Sequence, residues 1–175
     1  MSDTPALPGH ALGNMNEDRF VEAFGGVYEH SPWVARGVWQ RHTRNQIASA
    51  DALAEAMRTE VETADAATQM ALIRAHPDLG GKLALAGGLT AESAREQAGA
   101  GLAGCSPEEY ERLQALNSAY TEKFGFPFIV AVKGLQREDI LAAMSARLDN
   151  DPAVEQRRAL DEIHKIARFR LNEMF

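Results

Sequence analysis

The chain has 175 residues and a single cysteine, Cys105. One thiol rules out an intramolecular disulfide and leaves little basis for a cysteine metal site, so a reducing compartment fits. Positive charge is also scarce. Lys and Arg number 18 against 25 Asp and Glu, giving a net charge of −7 and a pI near 5.2. No run of Lys or Arg supplies the basic stripe of a nucleic-acid binder. No apolar run approaches the roughly 20 residues of a membrane span. The first residues, with Pro5, Pro8, Gly9 and Gly13, lack the basic-then-apolar pattern of a signal peptide. The ending Glu173-Met174-Phe175 is no peroxisomal tripeptide. Phosphate loops, His-Glu-x-x-His and Gly-x-Ser-x-Gly are all missing. His10, His30, His42, His76 and His164 have no metal-ligand spacing, His76-x-Asp78 being the nearest approach, and no metal is expected. These absences point to a cytoplasmic protein acting on small molecules or proteins, without nucleic-acid or membrane partners.

What is present is helical periodicity. Asn16 caps a helix carrying Phe20 and Phe24, and Ser31-Pro32 reads as the cap and first residue of the next, with Trp33, Val34 and Val38 inward. Ser49 opens a helix with Leu53, Met57 and Val61 at steps of four, and Asp65 caps another carrying Met70 and Ile73. Ser106-Pro107-Glu108-Glu109 is a capping box, followed by the seam Tyr110, Leu113, Asn117, Tyr120 and Phe124. Asn117 interrupts that seam and needs a buried partner, a neighbouring helix or a ligand. The last two helices present Ile140, Leu141, Met144 and Leu148, then Leu160, Ile163, Ile166, Arg170, Leu171 and Met174. Arg170 falls on the inward stripe and so needs an anionic partner from the protein or a substrate; Arg168 points elsewhere.

Phe128-Ile129-Val130-Ala131-Val132 has strand propensity, yet no second alternating run exists to pair with it. It reads as a buried extended segment whose backbone N–H groups are available to a ligand. The expected fold is therefore all-α: one bundle of about eight helices spanning residues 16–175, no significant sheet, and a flexible leader over residues 1–15.

The densest chemistry lies between Ile73 and Gln97. Pro77 biases His76 away from helical angles, so the imidazole leaves the scaffold at a helix end, where acid–base work near neutral pH is open to it. After Gly80-Gly81 and Gly87-Gly88, Thr90 is a suitable cap for a helix on which Ser93, Glu96 and Gln97 share a face. A hydroxyl, a carboxylate and an amide opposite a histidine suit a small ligand with several donors and acceptors.

Five ordered motifs carry a resemblance over nearly the whole chain. They are Tyr28-Glu29-His30-Ser31-Pro32-Trp33; His76-Pro77-Asp78-Leu79; Ser93 to Gln97 continuing into Gly99-Ala100-Gly101-Leu102; Lys123-Phe124-Gly125-Phe126-Pro127-Phe128-Ile129; and Ile163-His164-Lys165-Ile166-Ala167 with Arg170-Leu171. Together they resemble the 2-oxo-4-hydroxy-4-carboxy-5-ureidoimidazoline (OHCU) decarboxylase family. That resemblance implies an all-helical, cofactor-free carboxy-lyase, usually a homodimer, which makes (S)-allantoin during urate breakdown. Position by position it implies that His76 is the proton donor, Glu96 its carboxylate partner and Arg170 the arginine that meets the substrate. Pro77, the Ser93-Ala94-Arg95-Glu96-Gln97 block and Phe128 to Val132 resemble the substrate-binding segments. Arg41-His42-Thr43 departs from the Arg-Pro-Phe expected at that point and puts the local loop in doubt. A rival of another class is a non-catalytic helical protein that binds a small anionic ureide; turnover separates the two.

Overall fold

A computed structural model describes residues 9–79 and 91–175. Among the described residues there are eight α-helices and no strand, in agreement with the all-helical expectation. The chain divides into two compact units, one formed by residues up to Ala75 with His164–Phe175, the other by His76–Ile163.

In the first unit a 3-10 turn, Gly9–Asn14, precedes helix α1, Glu17–Phe24, and buries Leu12. The Asn16 side chain accepts from the Arg19 amide at 2.9 Å, which satisfies one of the orphan N–H groups at the helix start. Phe20 and Phe24 are buried one turn apart with ring centroids at 4.9 Å. The α1 helix ends where the Gly25 amide bonds Val21 O at 2.7 Å; a Cβ on Gly25 would stand 2.4 Å from that same oxygen, so only glycine closes the turn this tightly.

Helix α2, Trp33–Arg41, begins one residue later than expected. Ser31 does not cap it with its side chain, because its hydroxyl donates to the Glu29 carbonyl at 3.1 Å instead. After α2 the divergent Arg41-His42-Thr43 forms a defined link. Thr43 and Gln46 make a reciprocal capping box on the 3-10 turn Arg44–Ile47, and the Arg44 guanidinium lies 3.3 Å from the Trp39 ring centroid while donating to the Trp39 and His42 carbonyls. Helices α3, Ala50–Glu62, and α4, Ala66–Arg74, are capped by Ser49 and Asp65 as their sequences predict. Leu53, Met57 and Val61 of α3 are fully buried, which confirms the step-of-four stripe.

The second unit holds the His76–Leu79 turn, helix α5, Ala91–Gly99, a 3-10 turn Leu102–Gly104, and helix α6, Pro107–Phe124. The Ser106 capping box is complete, with Ser106 accepting from the Glu109 amide at 3.2 Å and Glu109 from the Ser106 amide at 3.1 Å. Gly125 ends α6 at φ +77°, the left-handed conformation that favours glycine. Helix α7, Arg137–Arg147, stops one residue before Leu148, which caps it and is only partly buried. Helix α8, Pro152–Met174, supplies Ala159, Leu160 and Ile163 to this core and Ala167 and Leu171 to that of the first unit. Expectations that fall on Gly80-Gly81, Gly87-Gly88, the Thr90 cap and residues 1–8 of the leader lie outside the described residues.

Candidate active site

Helix α4 ends at Arg74, and the following proline directs the chain out of the helix, as the His76-Pro77 pair predicts. The turn leaves His76 only 8% exposed. Beside it in sequence Asp78 is half-buried, and burial pushes its carboxyl above the ordinary value. The turn is fastened at its other end by Asn117, whose Nδ2 donates to the Leu79 carbonyl at 2.9 Å. The polar interruption of the α6 seam thus bonds loop backbone, a partner that neither of the sequence alternatives named.

On α5 the periodicity separates the predicted binding block into two sets. Ser93 and Gln97 are buried at a step of four, in line with the buried Ala100 just past the helix end. Glu96 is partly exposed, while Ala94 and Arg95 lie on the exposed face. The buried hydroxyl and carboxamide, the flanking carboxylate and His76 belong to the same compact unit, as do Pro77 and the whole Phe128–Val132 segment.

That segment is irregular, as the lack of a partner strand required, and Phe128, Ile129, Val130 and Val132 are buried in it. Two charged side chains secure its backbone. Arg147 Nη1 donates to the Ile129 carbonyl at 2.8 Å, with its guanidinium carbon 4.4 Å from the Phe128 ring centroid. The Ala131 amide donates to Glu162 Oε2 at 2.9 Å. The expectation that the segment's backbone N–H groups are available to a ligand is therefore corrected at Ala131, whose amide is bonded to a carboxylate of α8. An N–H held by an ionised acceptor is in a strong bond and is not readily released.

Arg147 is itself held by Glu155, through contacts at 2.9 Å, and Glu155 also accepts from Tyr120 Oη at 2.5 Å and Asn150 Nδ2 at 2.8 Å. Glu155 is 0% exposed. Burial opposes its charge, but the bonds from Arg147, Asn150 and Tyr120 outweigh it and hold the carboxyl below its ordinary value. The same burial, with the bond to Glu155, pushes the Tyr120 phenol well above its usual range, so it remains a donor. No motif in the sequence marks Arg147, Glu155 or Glu162. The available signal was spacing: Arg147 lies three residues after Met144 on the inward stripe of α7, and Glu155 and Glu162 lie seven apart, flanking Ala159, on one face of α8.

Arg170 lies in the other unit. It is 5% exposed, on the inward side as its phase predicts, and Nη1 meets Glu29 Oε2 at 2.7 Å and the carbonyls of Gly26 and Val27 at 3.2 and 3.4 Å. The anionic partner that the stripe demanded includes a protein carboxylate. Arg168 turns outward to Asp51 and Glu55, each at 2.7 Å. Close by in sequence, His164 joins Tyr28 Oη at 2.7 Å and Glu62 Oε1 at 2.9 Å. Among the described residues no group of three or more His, Cys, Asp or Glu side chains is arranged to hold a metal ion, and no helix is long and apolar enough to cross a membrane.

A buried histidine at a helix exit, in one helical unit with buried hydroxyl and carboxamide groups, is the equipment of an acid–base enzyme for a small polar substrate. The profile of the OHCU decarboxylase family matches residues 13–172, and the chain belongs to that family. The 2-oxo-4-hydroxy-4-carboxy-5-ureidoimidazoline decarboxylase of Haloferax volcanii is 44% identical over 164 residues, covering 94% of this chain and 94% of that protein. The enzyme of the same name from Halalkalicoccus jeotgali is 44% identical over 163 residues, covering 93% of this chain and 89% of its own. Among solved structures, a crystal structure of (S)-allantoin synthase superposes with a TM-score of 0.78 at 29% identity, over 97% of this chain and 54% of that one.

Proposed function

We propose that the protein decarboxylates 2-oxo-4-hydroxy-4-carboxy-5-ureidoimidazoline to (S)-allantoin in urate breakdown, with His76 as proton donor and Glu96 as the carboxylate that orients it or the substrate. The observation that carries this reading is His76 itself: an imidazole at the exit of a helix, 8% exposed, in a chain that belongs to the decarboxylase family. The bond from the ring carbon to the carboxylate breaks, carbon dioxide leaves, and the electron pair passes into the adjoining imine-like system of the substrate. Because the substrate ring receives those electrons, no pyridoxal or thiamine sink is required and no cofactor is assigned. His76 then returns a proton to one face of the resulting enol-like carbon, which sets the handedness of the product.

Ser93 and Gln97 offer a hydroxyl and a carboxamide to the ureido and ring polar groups, with Pro77 shaping the wall beside the imidazole. Amides of Phe128, Ile129, Val130 and Val132 complete the donor set, with Ala131 serving to hold the segment in place. Ala94 and Arg95 belong to the binding block as chain neighbours of the working groups. Arg170 meets the substrate carboxylate while retaining Glu29, so that pair sets how strongly the guanidinium attracts an anion. The enzyme works as a cytoplasmic homodimer, a reading supported by the family likeness.

Urate oxidase and hydroxyisourate hydrolase feeding the purified protein provide the test. Optical rotation develops as (S)-allantoin accumulates faster than the unassisted reaction yields it. Binding of ureides without any acceleration would instead indicate the non-catalytic reading.

A further inference from the structure

Asn117 stands on the buried seam of α6 between Leu113 and Tyr120, and is itself 5% exposed. Its Nδ2 reaches the Leu79 carbonyl at 2.9 Å, across 38 residues of sequence. Its Oδ1 is buried with no hydrogen-bond partner among the described residues. A carboxamide with one end bonded and the other orphaned is a poor core filler, since an aliphatic side chain of similar volume would avoid the desolvation of Oδ1. What the asparagine supplies is a donor for one particular carbonyl. That carbonyl belongs to the last residue of the turn His76-Pro77-Asp78-Leu79, in which Pro77 has no amide hydrogen with which to brace the backbone.

We infer that Asn117 is a positioning residue for the proton donor, acting through the Leu79 carbonyl to hold the His76–Leu79 turn. With the far end of the turn tied to α6, the imidazole at its near end keeps one orientation toward the substrate. Without that tie the turn backbone that carries the imidazole shifts, and the proton is delivered less often and from more than one direction. The inference rests on the assignment of His76 proposed above.

Asn117→Leu removes the donor while keeping the branching at Cγ. Asn117→Asp keeps the shape but, when ionised, replaces the donor with an acceptor, and it decides the matter if the leucine variant does not fold. Both are compared with wild type and with His76→Asn for kcat, KM and the enantiomeric excess of allantoin at increasing enzyme concentration. The expected result is a fall in kcat of about tenfold or more, with KM changed by about twofold at most, as for a misplaced reacting group. The enantiomeric excess stays below that of wild type even with enzyme in excess. A purely structural defect lowers only the folded fraction, so added enzyme would restore the excess, and that recovery would overturn the inference. Wild-type kcat and enantiomeric excess in either folded variant would overturn it as well. Wild-type turnover by folded His76→Asn would overturn the proton-donor assignment beneath it.

Discussion

Among the described residues each unit buries an arginine–glutamate pair, and the two pairs do similar structural work with different visibility in the sequence. Arg170 holds Glu29 and the carbonyls of Gly26 and Val27, so it ties down the loop after α1. Arg147 holds Glu155 and the carbonyl of Ile129, so it ties down the segment assigned to substrate binding. In both cases a guanidinium with several donors in a fixed fork joins a carboxylate to backbone that no helix or sheet satisfies. In both pairs the buried charge stands beside an irregular segment, where main-chain carbonyls would otherwise be orphaned. The pairs differ in their surroundings. Glu155 has a phenol and a carboxamide as further donors, whereas Glu29 lies in the connection that opens α2.

The largest effect is expected from removing one member of a pair. Arg147→Met leaves Glu155 buried without its cation and should cost about 3–5 kcal/mol in urea unfolding, and Arg170→Met a similar amount. The double variant Arg147→Met with Glu155→Met should be less destabilised than the sum of its singles, since partners in contact are not additive. Strictly additive losses would show that Arg147 and Glu155 do not act as a pair.

Acid should test the Glu155 pair next. The Glu155 carboxyl is held below its ordinary value of 4.5 in the folded protein, so its contribution to stability is complete above that value and is lost as pH falls through the lower folded value. Wild type should therefore lose stability below about pH 4.5 more steeply than Glu155→Gln, which carries no proton-binding carboxylate there. Parallel stability–pH curves would contradict this.

Smaller changes calibrate the scale. Ser106→Ala removes one arm of the α6 capping box and should cost about 1 kcal/mol, while leaving turnover per folded molecule unchanged. Arg168→Ala breaks contacts to Asp51 and Glu55 whose side chains are 80% and 63% exposed, and should cost under about 1 kcal/mol, the ordinary worth of a surface ion pair. If Arg168→Ala proved more damaging than Arg170→Met, the inward and outward faces of α8 would be exchanged.

The phase of α8 was legible in sequence because it depends on residues three and four apart. The same holds for the Ser106 capping box and the Leu53-Met57-Val61 stripe. The His76-Pro77 exit was legible because proline restricts the residue before it. What could not be read was the fastening of Phe128–Val132. Its tie to Arg147 spans 18 residues and its tie to Glu162 spans 31, distances at which no local period or cap operates. The sequence did show that a buried unpaired segment needs its polar backbone satisfied; spacing puts Arg147, Glu155 and Glu162 on inward faces but does not say which backbone they meet. Asn117 was visible as a misfit, but its partner at Leu79 emerged only from the fold.

The proposed roles of His76 as proton donor and Glu96 as its partner are tested most directly by a double-mutant cycle on (S)-allantoin formation. His76→Asn should lower turnover by on the order of 10² or more, as loss of a positioned acid does. Glu96→Gln should also be severe, and the double variant should be far less impaired than the product of the two losses, with helix content by circular dichroism unchanged in all three. Turnover near wild type in folded His76→Asn would contradict the account, and losses that simply multiply would mean that the two residues do not work as one unit.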